Sequence, residues 1–396
     1  MNKRLLIIGT VSFLYWFAVY IYNPVVPALA SEFGANVMLI GFISGMFGIT
    51  TVLLCIPISV ISDKISNTKG FLLLGAFSVL LSGLIPAVFQ SPMSLFIARA
   101  LGGAASAIWI IYIVEIARCY PESEVSKASG FMFAVSNGGA MLGSFLSGYC
   151  ISAAGNRVPF IIAAVAGCIA VLLLLTYKAV SRTKAEDAGT ASGFHFTAIL
   201  KTKHLISFSI LFFVGMYIST ATSSYFTPLY AEQVLGATKP QLGHIATAFV
   251  LAGILAGFVC PWVEKKLGIK RSLWIAFIMM AAFSFVIFLI KSIWLLMLTQ
   301  VVIGYGVGSI EIMLVARIIK NTGERSASSV LGVFYCLSAL GMVGGPYITG
   351  ILWETSASFL TIFAIMALIS LLAAIISVRL TLSADKNNVQ SARFCQ

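Results

Sequence analysis

Across its 396 residues the chain is 60% hydrophobic and only 10% charged, with a mean hydropathy of +1.02 and a formal net charge of +12. Soluble domains carry about 25% charged residues, so this chain cannot clothe a water-facing globule. The basic excess would suggest nucleic acid in a soluble protein; here its placement along the chain gives it another meaning.

The N-terminus opens with Lys3-Arg4 and an apolar run over residues 5–30. Its 26 residues exceed the ~7–15 of a secretory leader's apolar region. An α-helix crosses a bilayer in about 20 residues, so the run reads as a first membrane span. Trp16, Tyr20, Asn23 and Pro27 recur at spacings of four, three and four, which puts them on one helical face. Such a face lines a cavity or packs against a neighbour, and spacing alone admits both. Further runs at 71–89, 160–177, 273–290 and 359–378 are of spanning length, and no short alternating segments point to a β-barrel.

The stretch 59–69 carries Asp63 and Lys64 at a helix end with Lys69 nearby, an acid among basic groups that can latch neighbouring helices. The fourth span reads Leu95-x3-Arg99-x2-Gly102-Gly103-x-Ala105. Burying Arg99 costs ~2.5–3.5 kcal/mol on insertion scales, which points to a functional role unless the side chain snorkels to the outer interface. Glu115, three residues before Arg118, reads as an interfacial acid. The fifth span holds Gly139-x3-Gly143-Ser144-x2-Ser147-Gly148, small residues whose spacing lets helix backbones approach closely.

The longest polar stretch, 178–204, is a connector between an N-terminal bundle (1–177) and a C-terminal bundle (205–380), followed by a tail (381–396). In the seventh span Tyr217, Thr220, Ser224 and Pro228 share a face. In the tenth, Gln300, Gly304, Gly308 and Glu311 do the same. Glu311 precedes Arg317 by six residues, so it sits about 9 Å inside the helix end. It either titrates with a transported proton or pairs with Arg317 or Lys320. The eleventh span carries Gly341-x3-Gly345-Pro346-x2-Thr349-Gly350.

The two bundles are repeats. A shift of 202 superimposes Gly34 on Gly236, Gly102 on Gly304, Gly139 on Gly341 and Gly143 on Gly345, and in all 7 of the 19 glycines of the first half meet a glycine. Chance would give about 1.6. Each half holds an even number of spans, so the repeats run parallel, and a substrate site is expected near the midplane where they meet. Of the 25 Lys and Arg residues, 21 fall in the tails and even-numbered loops, three (Arg157, Lys239, Lys291) fall in the odd-numbered loops, and Arg99 lies within a span. Positive charge marks the cytoplasmic side, so both termini are expected inside.

These motifs resemble those of the major facilitator superfamily, and more loosely of its drug:proton antiporter-like branch, over essentially the whole chain. The loop at 59–69 is similar to that family's second-loop motif with Ser59 and Ser66 in place of glycines, and 95–105 is similar to its fourth-span arginine motif. The fifth- and eleventh-span patterns resemble the antiporter motif, with Ser144 replacing its proline in the first copy and Pro346 retaining it in the second. The resemblance implies twelve transmembrane helices in two pseudo-symmetric six-helix halves. It also implies a cavity lined from spans one and seven, with Trp16, Tyr20, Asn23, Tyr217, Thr220, Ser224 and Gln300 as candidates. Arg99 and Glu311 become candidates for coupling, and Asp63, Lys64, Gly139, Gly143, Gly148, Gly341, Gly345 and Pro346 for conformational motifs.

The function expected is secondary active transport of a small organic solute across the cytoplasmic membrane by alternating access. Proton-coupled efflux of an amphipathic compound is the main form. Movement of a sugar, metallophore or amino-acid derivative in either direction is the alternative. The expected partners are a small-molecule substrate, protons and membrane lipid, without nucleic acid, and the protein is expected to be a monomer. No HExxH or GxSxG motif occurs, the three histidines (His195, His204, His244) are scattered, and the seven cysteines form no CxxC pair. Those absences argue against an enzyme, a metal site and a cofactor. Ile303-Gly304-Tyr305-Gly306 is filter-like in spelling, but it lies inside an apolar span, so helix packing explains it better than a channel does.

Overall fold

Two prolines decide how the first helix runs in the computed structural model, which describes residues 3–64, 68–117, 119, 125–177, 205–322 and 327–393. Helix α1 (Lys3–Tyr20) stops where Pro24 has no N–H for the Tyr20 carbonyl. The chain passes through a 3-10 turn (Asn23–Val25) into the short α2 (Val26–Glu32). Gly34, with φ 84°, then ends α2, and the Ala35 N–H reaches the Ala30 carbonyl at 2.9 Å. Asn36 caps α3 (Val37–Lys64), its Oδ1 accepting the Leu39 N–H at 2.8 Å. Helices α4 (Thr68–Val88), α5 (Pro92–Ala117), α6 (Val125–Ala154) and α7 (Val158–Thr176) follow.

Beyond the connector, α8 (Leu205–Ser219) widens into a π-helical turn (Thr220–Phe226) and continues as α9 (Thr227–Gln233). Gly236, the repeat partner of Gly34, is again left-handed, with φ 63°. Thr238 stands at the position of Asn36, and its N–H donates to Gln241 Oε1 at 2.8 Å as the next helix begins. That helix, α10 (Lys239–Val286), is broken at Gly268 (φ 77°) and followed by a 3-10 turn (Ile287–Leu289). Helices α11 (Ile293–Thr322), α12 (Ala327–Ser356) and α13 (Phe359–Arg393) complete the chain.

The described residues contain no strand, as lipid requires of a chain that is not a closed barrel. Nine runs among them are long and apolar enough to cross a membrane, and the run Lys239–Leu289, 51 residues long, has the length of two crossings divided at Gly268. Large side chains stand outward, Phe258 and Trp294 each 77% exposed, as expected where lipid rather than water is the solvent. Buried residues include Ile8, Val11, Leu72, Tyr112 and Leu174, one continuous core of the first half.

The chain divides into two units. The first comprises the described residues of Met1–Phe194 with Ala231–Thr247, the second those of His195–Tyr230 with Ala248–Gln396. In the first, α1 packs on α6 and α7, α4 on α7, and α5 on α3 and α4. In the second, α8 takes the place of α1, packing on α12, α11 and α13.

Candidate functional site

The paired glycine motifs are backbone contacts. A methyl placed on Gly139 would lie 2.5 Å from the Phe13 carbonyl oxygen, and one on Gly143 would lie 2.6 Å from that of Phe17, so α6 rests directly on α1. The second unit repeats this: a methyl on Gly341 would strike the Phe213 carbonyl, and one on Gly345 would strike Thr220 Oγ1 and lie 2.7 Å from the Tyr217 carbonyl, joining α12 to α8. Pro346 follows inside α12. Gly148 abuts the Lys239 carbonyl, and a methyl on Gly243 would lie 2.6 Å from the Ser144 carbonyl, which fixes the start of α10 against α6 within the first unit. Lys239 there bridges Glu32 and Glu232, each at 2.6 Å.

Arg99 is 8% exposed and does not snorkel. Its Nη1 donates to Asn23 Oδ1 at 2.7 Å and its Nη2 to the Ser44 carbonyl at 3.1 Å, and its guanidinium lies 4.8 Å from the Phe47 ring centroid. The 3-10 turn forced by Pro24 is what presents Asn23 to α5. Arg99 Nε is buried with no partner, and among the described residues no carboxylate pairs with this cation. Behind it Tyr22 donates to Ser82 Oγ at 3.4 Å.

On α1, Trp16 and Tyr20 hold the face expected of them, with ring centroids 5.9 Å apart. The face is broken before Pro27 by the 3-10 turn. Trp109 of α5 joins them, edge-on to Trp16 at 5.4 Å and stacked on Tyr15 at 5.8 Å. Trp16 Nε1 is buried without an acceptor. Towards the N-terminal end of α1 lies an apolar cavity of about 270 Å³, open to the exterior where Leu6 and Thr10 are exposed and otherwise lined by Gly9, Phe13, Phe131 and Val135.

In the second unit, Tyr217 and Thr220 are buried against the glycines of α12, Thr220 Oγ1 donating to the Met216 carbonyl at 2.8 Å, whereas Ser224 is half-buried. Gln300 is fully buried, its Nε2 3.4 Å from Thr227 Oγ1 and its Oε1 unpartnered. Glu311 is half-buried and accepts the Tyr335 hydroxyl at 3.0 Å.

The sequence signals for Asp63 and Lys64 fall at the end of α3, and their side chains lie outside the described residues. Glu115 differs from expectation: it is completely buried rather than interfacial. Its carboxylate accepts Thr68 Oγ1 at 2.8 Å and the Tyr177 hydroxyl at 2.6 Å, tying together the ends of α4, α5 and α7. Burial, and then the proximity of Glu115, pushes the Cys119 thiol above its ordinary value. Phe47, Trp109 and Tyr335 are neighbours of these side chains that sequence reading did not place. Trp109 could have been found as the repeat partner of Glu311.

The family model of the Major Facilitator Superfamily matches residues 8–238 and 216–394. The chain belongs to the major facilitator superfamily. It is thus a multi-pass membrane transporter that moves a small molecule. It is 22% identical over 376 residues to multidrug resistance protein 1 of Bacillus subtilis, covering 93% of this chain and 94% of that one. It is also 22% identical to the quinolone resistance protein NorA of Staphylococcus aureus, covering 89% and 91%. Among solved structures, the nucleoside transporter NupG superimposes with a TM-score of 0.77 at 15% identity, covering 96% of this chain and 99% of that one. A POT family transporter in complex with a thioalcohol-conjugated peptide gives 0.77 at 14%, covering 96% of each. These two share the superfamily fold.

Proposed function

We propose that this transporter exports an amphipathic organic compound in exchange for protons, by alternating access, as a monomer in the cytoplasmic membrane with both termini inside. The observation that carries the proton part is Glu311. A carboxyl group inside a spanning helix, held by the neutral Tyr335 hydroxyl rather than a cation, gives up and regains a proton without breaking an ion pair. Export is supported by relatives named for multidrug and quinolone resistance. The bundles, 1–177 and 205–380, joined by the connector at 178–204, are the bodies whose motion the cycle uses, with the contacts of Gly139 and Gly143 on α1 and of Gly341 and Gly345 on α8 as rigid seams inside each. Ser144, standing where the antiporter motif has proline, makes uptake the second reading.

The test is transport in proteoliposomes with an imposed pH gradient, using a neutral amphipathic fluorescent dye such as Nile red. Export by antiport predicts that dye moves against the proton gradient and that collapsing the gradient stops it. Movement of dye with the proton flow would support uptake, and dye movement indifferent to the gradient would remove proton coupling.

A further inference from the structure

Arg99 is a permanent charge whose local partners are all neutral. Two of its nitrogens are spent on an amide oxygen and a backbone carbonyl, and its flank on an aromatic face. Its Nε–H points at no acceptor. A buried cation so arranged is destabilised until an anion reaches it. Tyr20 stands one helical turn before Asn23, the residue that Arg99 bonds. Tyr20 also touches Trp16, whose ring meets Trp109 and whose indole N–H is a second buried donor with nothing to donate to. Gly9 and Phe13, which line the apolar cavity, continue the Trp16–Tyr20 face of α1 at spacings of four and three. A charged end, two unspent donors, an aromatic wall and an apolar hollow thus follow one another along one face of α1. No acidic residue lies in α1 to receive a cation.

We propose that this face recognises an amphipathic aromatic anion, the guanidinium of Arg99 taking a carboxylate and the Trp16–Tyr20–Trp109 cluster taking the ring; the proposal rests on the transport reading above. A planar guanidinium with a free N–H on one edge suits a carboxylate better than it suits a hydroxyl. A cationic substrate would meet repulsion from Arg99, with no acid on α1 to offset it.

Three probes of one shape and different charge test this on the purified full-length protein by titration calorimetry: 1-naphthaleneacetate, 1-naphthaleneethanol and 1-naphthaleneethylammonium. The acetate is expected to bind about ten-fold or more tightly than the alcohol, the gain of one or two charge-assisted hydrogen bonds, and the ammonium compound most weakly. Arg99→Gln should erase the acetate's advantage while leaving the alcohol's affinity unchanged. Because Arg99→Gln alters a buried polar group and can impair folding, Asn23→Asp is the second variant. It keeps the guanidinium but supplies a carboxylate on the atom already bonded to it, and should erase the same advantage. Equal affinities for the three probes, tighter binding of the ammonium compound, or an acetate preference that survives Asn23→Asp would overturn the proposal. Counterflow of the same probes in proteoliposomes keeps the two readings apart. Acetate-selective binding without flux would sink transport of this class and leave the anion site standing. Saturable flux of all three alike would sink the anion site and leave transport standing.

Discussion

The break in the α1–α2 region and the break in the α8–α9 region answer the same need in opposite ways. In the first, Pro24 and Pro27 remove donors and the backbone tightens into a 3-10 turn. In the second, the backbone loosens into a π turn over Thr220–Phe226. Before the break the two regions match at an offset of 200: Phe13 and Phe213 take the first glycine contact, Phe17 and Tyr217 the second. After it they match at 202, where Gly34 and Gly236 are both left-handed. The second region has therefore gained residues at mid-span, and a π turn is how a helix absorbs an insertion without losing its ladder. Packing is duplicated on either side, and the chemistry is not. Asn23 reaches Arg99 in the first unit, whereas the position equivalent to Arg99 holds Val301. Glu311 in the second unit is matched by Trp109 in the first. The cation and its aromatic wall belong to one repeat and the titratable acid to the other.

The duplicated part should tolerate substitution least. Gly143→Leu and Gly345→Leu each drive a side chain into the facing backbone and should destabilise their own unit by about 1–3 kcal/mol or more. Both should also abolish transport, which thermal unfolding and dye flux read in parallel. Unequal effects of the two would break the equivalence of the contacts. The unduplicated part should show a subtler loss. Arg99→Lys keeps the charge but not the fork that spans Asn23 and Ser44, and uphill transport should fall about ten-fold or more, with normal expression. Full transport by Arg99→Ala would remove this residue from the mechanism. The smallest effect is expected at Gly332, where a methyl would meet nothing within 4 Å. There Gly332→Ala should leave transport intact and raise stability by about 0.4–1 kcal/mol through the unfolded chain's lost freedom.

Much of this was legible in the sequence, because lipid leaves few solutions. Apolar runs of spanning length become helices, and glycines at a fixed repeat offset become either helix contacts, as at Gly139 and Gly341, or left-handed helix ends, as at Gly34 and Gly236. What escaped was set by distant partners. Glu115 beside Arg118 looks interfacial along the chain, yet Thr68 and Tyr177, 47 and 62 residues away, enclose it. Glu311 has Arg317 as a sequence neighbour, but its bond comes from Tyr335 on α12. The π turn carries no glycine or proline within Thr220–Phe226. Only the change of offset between the repeats betrays it.

Glu311 offers the most direct test of the division of labour between the repeats. Glu311→Gln preserves shape and can still bond to Tyr335, but fixes the neutral state. Counterflow and pH-driven dye transport should be measured in the same proteoliposomes. The account predicts that counterflow persists while pH-driven accumulation is lost. Undiminished pH-driven accumulation would contradict it, as the proton would then be carried elsewhere.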